Sequence, residues 1–567
     1  MRKSHTLAAM RQAATLSALV LVAGTCLAAP PPAPAREVKL IQWGWDTPSP
    51  ELIPPMIESM QRVPFDGLAI GLMPNGLPDR SDGKARVKSF VYRCWGGETL
   101  AEAEFSDSIK ALKSVPWGRF TDNFLVFGVQ PGNVDWFSDK FDAVPRNAAM
   151  LARAARELKF KGIFLDPEQY GGKLWAYKPQ GDSPRSFEDC QKQVRLRGRQ
   201  FMQVINKECP DITILVAMGY SQAFRYLAQD PKKFDKLEKV EYALYPSFLD
   251  GMLEAATGGT IIYDGLEETY PFKSERQFAG ARRQVLEVGP EKWTAVPDAY
   301  RARYRVSFGL WVDLDYVSKY PWDVKDFQRN YFTPEEFGWS MYSAARHTDR
   351  YVWVWSQKIN QHGGWWGGRM PRPYLDALGL ARGPRDKLCA PYEETFDYVA
   401  HKAPGSEQFC LTPHKGERSR PSAAAALALC TDDRKAGAAA TRADWTASAD
   451  GPSEGGVVKV CPGEDFRGRT FSVWVKVLTP DAVAAVSIAF YDGTKKAEVH
   501  TWEGLTGEWA RLTIPVGRKG DAAGFTADPQ VPPTNIRRII FSGVTRKEDQ
   551  KAAVLWDDFR EVGEIGK

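Results

Sequence analysis

The sequence predicts an α/β fold, a TIM-type (β/α)8 barrel, followed by an all-β sandwich. Eight strand-like runs alternate with helical patterns between Lys39 and Ser356, as a parallel sheet with crossover helices requires. No glycine-rich fingerprint follows the first run, which disfavours an open, doubly wound sheet. Beyond about residue 385 the helical patterns stop and short alternating segments take over, the spacing of an all-β sandwich.

The elements follow in order. Arg2, Lys3 and Arg11 precede an apolar run from Ala13 to Gly24, and Cys26-Leu-Ala-Ala29 supplies small residues for cleavage. That run is too short to span a bilayer, so residues 1–29 read as an export signal and 30–36 as a Pro/Ala tether. The barrel is assigned to 37–385. Its strands are expected at Lys39–Trp45, Asp66–Leu72, Asn123–Gln130, Gly162–Glu168, Thr213–Tyr220, Thr260–Asp264, Arg305–Asp313 and Arg350–Ser356. Helical spacing is clearest at Arg146–Lys159, Phe187–Glu208, Glu275–Val288, Pro334–Arg346 and Pro373–Arg382. The run Val240–Ala256 is expected to be a helix interrupted near Pro246. The alanine runs Ala423–Ala426 and Ala438–Ala440 read as low-complexity or loop stretches. Strands then recur at Thr470–Val477, Ala485–Tyr491, Trp509–Val516, Arg537–Ser542 and Ala553–Phe559, within a sandwich assigned to 386–567.

Composition narrows the function. A length of 567 residues favours two domains, and 43% hydrophobic with 26% charged residues is ordinary for a globular protein. The formal charge is +5. Removing the signal takes away three positive charges and leaves about +2, which argues against nucleic acid as a partner. No other stretch is long and apolar enough for a transmembrane segment. Seven cysteines remain after cleavage; their odd number and the lack of any CxxC motif fit neither a fully paired disulfide framework nor a zinc site. No metal or cofactor is called for. Gly219-Tyr-Ser-Gln-Ala223 lacks the second glycine of a nucleophile elbow, and His347 and His362 have no motif around them.

The chemistry gathers at strand ends. Residues 162–170 read GIFLDPEQY, an apolar run ending in Asp166 and Glu168, which alternation puts on one face. Residues 260–270 repeat the arrangement with Asp264, Glu267 and Tyr270, although Asp264-Gly265 is also a plain turn signal. In a barrel the site lies at the carboxyl ends of the strands. Those ends here supply Trp43, Trp45, Asp46, Gln130, Tyr170, Tyr220, Trp311, Asp313 and Trp353 to Ser356. For the strand tryptophans a core role is favoured over sugar stacking, and Asp313 and Asp315 serve equally well as loop caps. Trp365 and Trp366, flanked by glycines in a loop, are expected to form a cleft wall.

The strand set, above all GIFLDPE at 162–168 and YDGLE at 263–267, resembles the barrels of secreted bacterial glycoside hydrolases. The pattern FRGRTFSVW at 466–474 and the closing LWDDFR at 555–560 resemble the jelly-roll modules appended to such enzymes. The resemblance implies one catalytic carboxyl from Asp166 or Glu168, a second from Asp264 or Glu267, and Asp313 in reserve. It also implies a polysaccharide or oligosaccharide substrate. One acid would protonate the leaving oxygen and the other would attack the anomeric carbon or activate water. The Asn-Glu pair that many retaining β-glycosidases show at the fourth strand is absent. The competing expectation is a polysaccharide-binding barrel without catalysis. Trp474, Trp502, Trp509 and Trp556 are candidate stacking surfaces of the C-terminal module, with Trp474 and Trp556 also fitting a strand core.

Overall fold

The computed structural model describes residues 37–77, 83–170, 172–177, 185–229, 232, 235–315, 321–359, 364–368, 370–384, 390, 412–414, 417–420, 426–437, 439–447 and 451–562. The expected signal and tether lie outside the described residues, as does His362.

Nine parallel strands form the N-terminal sheet: β1 (Lys39–Gly44), β2 (Gly67–Ile70), β3 (Phe124–Gly128), β4 (Gly162–Asp166), β5 (Thr213–Val216), β6 (Ile261–Asp264), β7 (Tyr304–Val306), β8 (Phe308–Trp311) and β9 (Tyr351–Ser356). Their order is β7-β6-β5-β4-β3-β2-β1-β9-β8. The two outermost strands, β7 and β8, are separated in the chain by Ser307 alone, so the sheet returns on itself as a nearly closed barrel. Nine strands appear where eight were expected because the run Arg305–Asp313 is divided at Ser307. Its first part pairs with β6 and its second with β9.

Alternation sorts the side chains into two cores. Ile41, Trp43, Phe124, Val126, Phe164, Leu215, Tyr351 and Trp353 fill the barrel interior. Their neighbours Leu40, Leu125, Ile163, Leu165, Ile214, Val216, Val352 and Val354 face outward into a layer shared with the helices. Every second residue changes side, as the pleat dictates.

The helices begin where their sequences supply caps. Ser186 accepts a hydrogen bond from Asp189 N (3.1 Å) and starts the helix Phe187–Glu208. Thr333 and Glu336 form a capping box ahead of Pro334–His347. Pro246 opens the helix Tyr245–Ala255 and does not interrupt it; in the first turn its missing N–H costs nothing.

The C-terminal region is β-rich. Two five-stranded sheets are present, one in the order β12-β13-β21-β15-β18 and the other β14-β20-β16-β17-β19, besides the pair β10-β11. The strands are β10 (Thr412–His414), β11 (Glu417–Arg420), β12 (Ala426–Cys430), β13 (Ala440–Thr446), β14 (Glu454–Glu464), β15 (Thr470–Val477), β16 (Val483–Asp492), β17 (Lys495–Glu503), β18 (Ala510–Pro515), β19 (Gly524–Ala527), β20 (Ile536–Thr545) and β21 (Lys551–Glu561). Ala426 and Ala440 each open a strand, which corrects the loop reading of the alanine runs at those positions. Neighbouring strands supply the pairing that alanine's weak β-propensity does not. Side chains from both sheets, including Val457, Val475, Phe471, Phe541 and Trp556, share one core. Trp502 and Trp556 are buried in it and offer no stacking face. Trp474 lies half-buried under Lys435 and Arg511, and Trp509 Nε1 is tied to Asp433 at 2.7 Å.

This core reaches the barrel's helices. Trp339, on the helix Pro334–His347, is 1% exposed and packs within the C-terminal cluster. Ser274 Oγ donates to the Gly463 carbonyl (3.2 Å), Glu275 N to Glu464 Oε1 (3.2 Å), and Arg276 to Asn535 Oδ1 (2.6 Å). Truncation after Gly383 is therefore expected to lower the melting temperature of the barrel and cause aggregation. In the full chain Trp339→Ala is expected to cost about 3 kcal/mol, the low end for a buried aromatic. Thermal and urea unfolding of both variants check this.

Candidate active site

A cleft of about 360 Å³ opens at the carboxyl ends of the strands, lined among others by Trp43, Trp45, Gln130, Asp166, Glu168, Tyr170 and Trp355. Asp166 ends β4 directly above Phe164, so it points inward for the same reason that Phe164 does. Its Oδ1 accepts the backbone N–H of Glu168 at 3.0 Å. This bond turns the chain so that Glu168 stands over the cleft, and the Tyr170 hydroxyl donates to the Glu168 carboxylate. Trp45 is 49% and Tyr170 68% exposed. Large apolar side chains left this open are few among the described residues, and two lie at this cleft.

Glu267 joins the acids by a different route. In β6, Tyr263 faces the interior and Asp264 therefore faces the helices. The chain then passes Leu266 in the left-handed region (φ 45°), and the reversal brings Glu267 within electrostatic reach of Asp166 and Glu168. Gly265 permits the close approach. A Cβ there would stand 2.3 Å from the Val216 carbonyl and 2.8 Å from Trp353 Nε1, while Trp353 Nε1 donates to the Gly265 carbonyl at 2.8 Å.

Burial dominates the electrostatics. It pushes the Asp166 carboxyl well above its ordinary range, and the charge of Glu168 adds to the effect. It raises Glu168 too, against the Tyr170 hydrogen bond, which favours the ionised form. Glu267 is held well above the usual range by burial and then by Glu168 and Asp166; Arg225 opposes this only weakly. Glu267 Oε2 is buried without a hydrogen-bond partner among the described residues. Burial and mutual repulsion thus raise all three neighbouring carboxyls, so each ionises less readily than it would alone. Among the described residues no cluster of His, Cys, Asp and Glu is arranged to hold a metal ion.

Several expected residues lie elsewhere. Asp264 is fully buried on the helix side, where Oδ2 accepts the Tyr304 hydroxyl (2.9 Å) and Oδ1 accepts Leu266 N (3.1 Å). Strand parity turns it away from the cleft. Asp313 is buried as a loop cap, accepting Ile359 N (2.7 Å), Gln357 N (3.0 Å) and Trp311 Nε1 (2.7 Å). Trp311 is thus pinned beside it. Asp46 accepts Gln42 Nε2 (3.0 Å), Trp365 N (2.9 Å) and the Ser356 hydroxyl, and burial raises its pKa to about 6. Tyr220 is buried with its hydroxyl on Asp250 (2.7 Å). Trp353 plugs the barrel interior. Trp365 and Trp366 are buried against Phe65, with ring centroids 5.2 and 5.8 Å away, so they are core and not cleft wall. Tyr270 lies beneath the acids, 5.3 Å from Trp353 between ring centroids.

Sequence reasoning did not find Met73, Arg86, Ser89, Tyr92 and Gln357, which line the cleft. Arg86 and Tyr92 come from the segment after β2 and carry no motif. Gln357 follows Ser356 directly, and only its place one residue beyond the last strand signals it.

No family model matches the chain, and no curated protein matches it. Among solved structures, a GH18 chitinase from Pseudoalteromonas aurantia aligns at 11% identity over 60% of this chain and 99% of that chain, with a TM-score of 0.30. A family 11 carbohydrate-binding module from Clostridium thermocellum aligns at 14% identity over 28% of this chain and 91% of that chain, with a TM-score of 0.20. A structure of carbohydrate-binding modules from the β-sandwich superfamily aligns at 13% identity over 24% of this chain, with a TM-score of 0.19; the chain spans about half, 53%, of that structure's length. At TM-scores this low the likeness has no weight for function.

Burial raises Asp264 from 3.8 to about 7, with Glu268 adding to it. A carboxyl whose folded pKa lies above its unfolded value stabilises the fold below the unfolded pKa and loses that contribution as pH rises through the folded one. Melting temperature is therefore expected to fall as pH rises from about 4 to about 8. Asp264→Asn should flatten that fall, and an unchanged slope in scanning calorimetry would count against the assignment.

Proposed function

We propose that the chain is an exported glycoside hydrolase, a TIM-type (β/α)8 barrel over 37–385 followed by a jelly-roll-like sandwich over 386–567, acting on a polysaccharide or oligosaccharide. The observation that carries this reading is that Asp166 and Glu168 line a tryptophan-lined cleft on the carboxyl rim of the barrel, with the buried Glu267 within electrostatic reach of both. Export rests on the signal-like residues 1–29. The cleft tryptophans offer flat apolar faces of the kind sugar rings stack on.

In this reading Glu168 is the general acid. It lines the cleft, burial raises its pKa above the ordinary glutamate value, and the Tyr170 hydroxyl stabilises the carboxylate left after the proton passes to the leaving glycosidic oxygen. Glu267 is the second carboxyl, and in its ionised form it attacks the anomeric carbon or draws a proton from water. Asp166 holds the Glu168 turn through the Glu168 N–H, and its negative charge, when present, opposes ionisation of the others. Asp264 and Asp313 have structural roles only. The anomeric configuration of the first product, read by NMR, distinguishes retention from inversion.

Glu168→Gln keeps size and most hydrogen bonding. It is expected to lower turnover at least about a hundredfold on whichever member of a polysaccharide panel the wild type cleaves, with melting temperature unchanged. Glu267→Gln should do the same, and Asp264→Asn should retain turnover. The alkaline limb of kcat/KM should lie above the ordinary glutamate range, because the acid must stay protonated. Trp45→Ala should raise KM about 3- to 10-fold, the worth of one aromatic contact, and leave kcat nearly unchanged. Full activity in both Gln variants would defeat the carboxylate-pair mechanism.

A further inference from the structure

A separate cavity of about 830 Å³ lies where the helix Ser221–Gln229, the helix Glu275–Arg283 and its π-helical continuation Gln284–Val288 meet Gly463 of β14 and Asn535 ahead of β20. Its size is that of a small-molecule site. The wall is apolar, with Leu227, Phe272 and Val285 beside Phe224 and Trp293. Those last two rings stack at 9° with centroids 5.7 Å apart, which makes a rigid aromatic platform. The π-helical turn, a feature frequent at functional sites, contributes Val285 and Val288 to the lining.

The rim has the opposite character. Five cations, Arg225, Arg276, Arg283, Lys292 and Arg537, line the cavity against one carboxylate, Glu268. Arg276, Arg283, Lys292 and Arg537 are exposed, and among the described residues none of the four has a carboxylate partner. Ser221, 7% exposed, lines the same cavity, and its Oγ is buried and has no hydrogen-bond partner among the described residues. A buried hydroxyl left unsatisfied beside a surplus of positive charge is a cost to the free protein that a suitable ligand removes.

We propose that this cavity is a binding site for a small ring compound bearing a carboxylate or sulfate. The ring packs on the Phe224–Trp293 platform, and the anion meets the guanidinium groups at the rim, which favour bidentate contact with planar oxyanions. The cavity shares no lining residue with the carboxylate cleft, and the proposal does not rest on the hydrolase reading. Both an aromatic acid and an acidic sugar have this chemistry.

Isothermal titration of the full chain with 1-naphthoate and with D-glucuronate tests the assignment, using 1-naphthamide and D-glucose as uncharged counterparts. One molecule of at least one acid should bind per chain, and its uncharged counterpart should bind at least about tenfold more weakly, the loss of roughly 1.4 kcal/mol. Binding of naphthoate alone assigns an aromatic acid, and binding of glucuronate alone an acidic sugar. Arg283→Glu and, from the C-terminal side, Arg537→Glu should each weaken binding by at least about tenfold with melting temperature unchanged. Both side chains are exposed, so the fold does not depend on them. Trp293→Ala should weaken it as well. Failure of both acids to bind, equal binding of an uncharged counterpart, or affinity unchanged in both charge-reversed variants overturns the proposal.

Discussion

The contact among Trp43, Phe164 and Trp353 in the barrel interior is the one on which the rest of the N-terminal structure depends. Trp43 lies 4.3 Å from Phe164 and 5.4 Å from Trp353 between ring centroids, and Phe164 lies 5.4 Å from Trp353. Three strands, β1, β4 and β9, each supply one ring, and together they close the interior at mid-height. Because side chains alternate along a strand, fixing Phe164 inside also fixes Asp166 inside, one pleat higher. Fixing Trp43 and Trp353 sets Trp45 and Trp355 above them in the same way. The cleft is the open space left above this plug. Its floor and walls follow from the requirement that a barrel interior be filled.

Above the plug, charge and solvation compete. Three acids cluster where water is partly excluded, and the pull of Arg225 on Glu267 is weaker than the effects of burial and of the neighbouring acids. Desolvation wins, so the pKa values of all three carboxyls rise. The surrounding tyrosines reinforce this. Burial and the neighbouring acids raise the pKa values of Tyr170, Tyr242 and Tyr270, so their hydroxyls stay protonated and remain donors. The apolar body of the barrel and the acidity of the cleft are thus two results of one dielectric boundary.

Much of this was legible from period and turn chemistry. The strand runs and the long helix Phe187–Glu208 follow from apolar spacing and caps, and Asp166 with Glu168 from the parity of β4. The same rule, applied one strand further on, shows why Asp264 faces the helices: Tyr263 takes the interior place. What sequence could not show is the reversal at Leu266, a left-handed residue that is neither glycine nor asparagine, after which Glu267 comes within electrostatic reach of Asp166 and Glu168. Nor could it weigh the loop tryptophans. Trp365 and Trp366 look exposed between glycines, yet Phe65 and Phe120 from distant segments close over them. Non-local packing decides such cases. The strands β14 and β17 were not anticipated because their mixed polar and apolar sequences gain their order from neighbouring strands, β20 for β14 and both β16 and β19 for β17.

The division of the last stave at Ser307 has a mechanical consequence. At that point backbone pairing passes from β6 to β9, and side chains fill the gaps in the ladder. Ser307 Oγ donates to the Tyr351 carbonyl (2.8 Å), Thr348 Oγ1 to the Val306 carbonyl (3.1 Å), and Asp349 Oδ2 accepts Val306 N (2.8 Å). The backbone hydrogen bond from Asp349 N to the Val306 carbonyl (2.8 Å) also spans this point. The ring's continuity here thus depends in part on which side chains are present at three positions. The barrel has a seam, and two hydroxyls and one carboxylate fasten it.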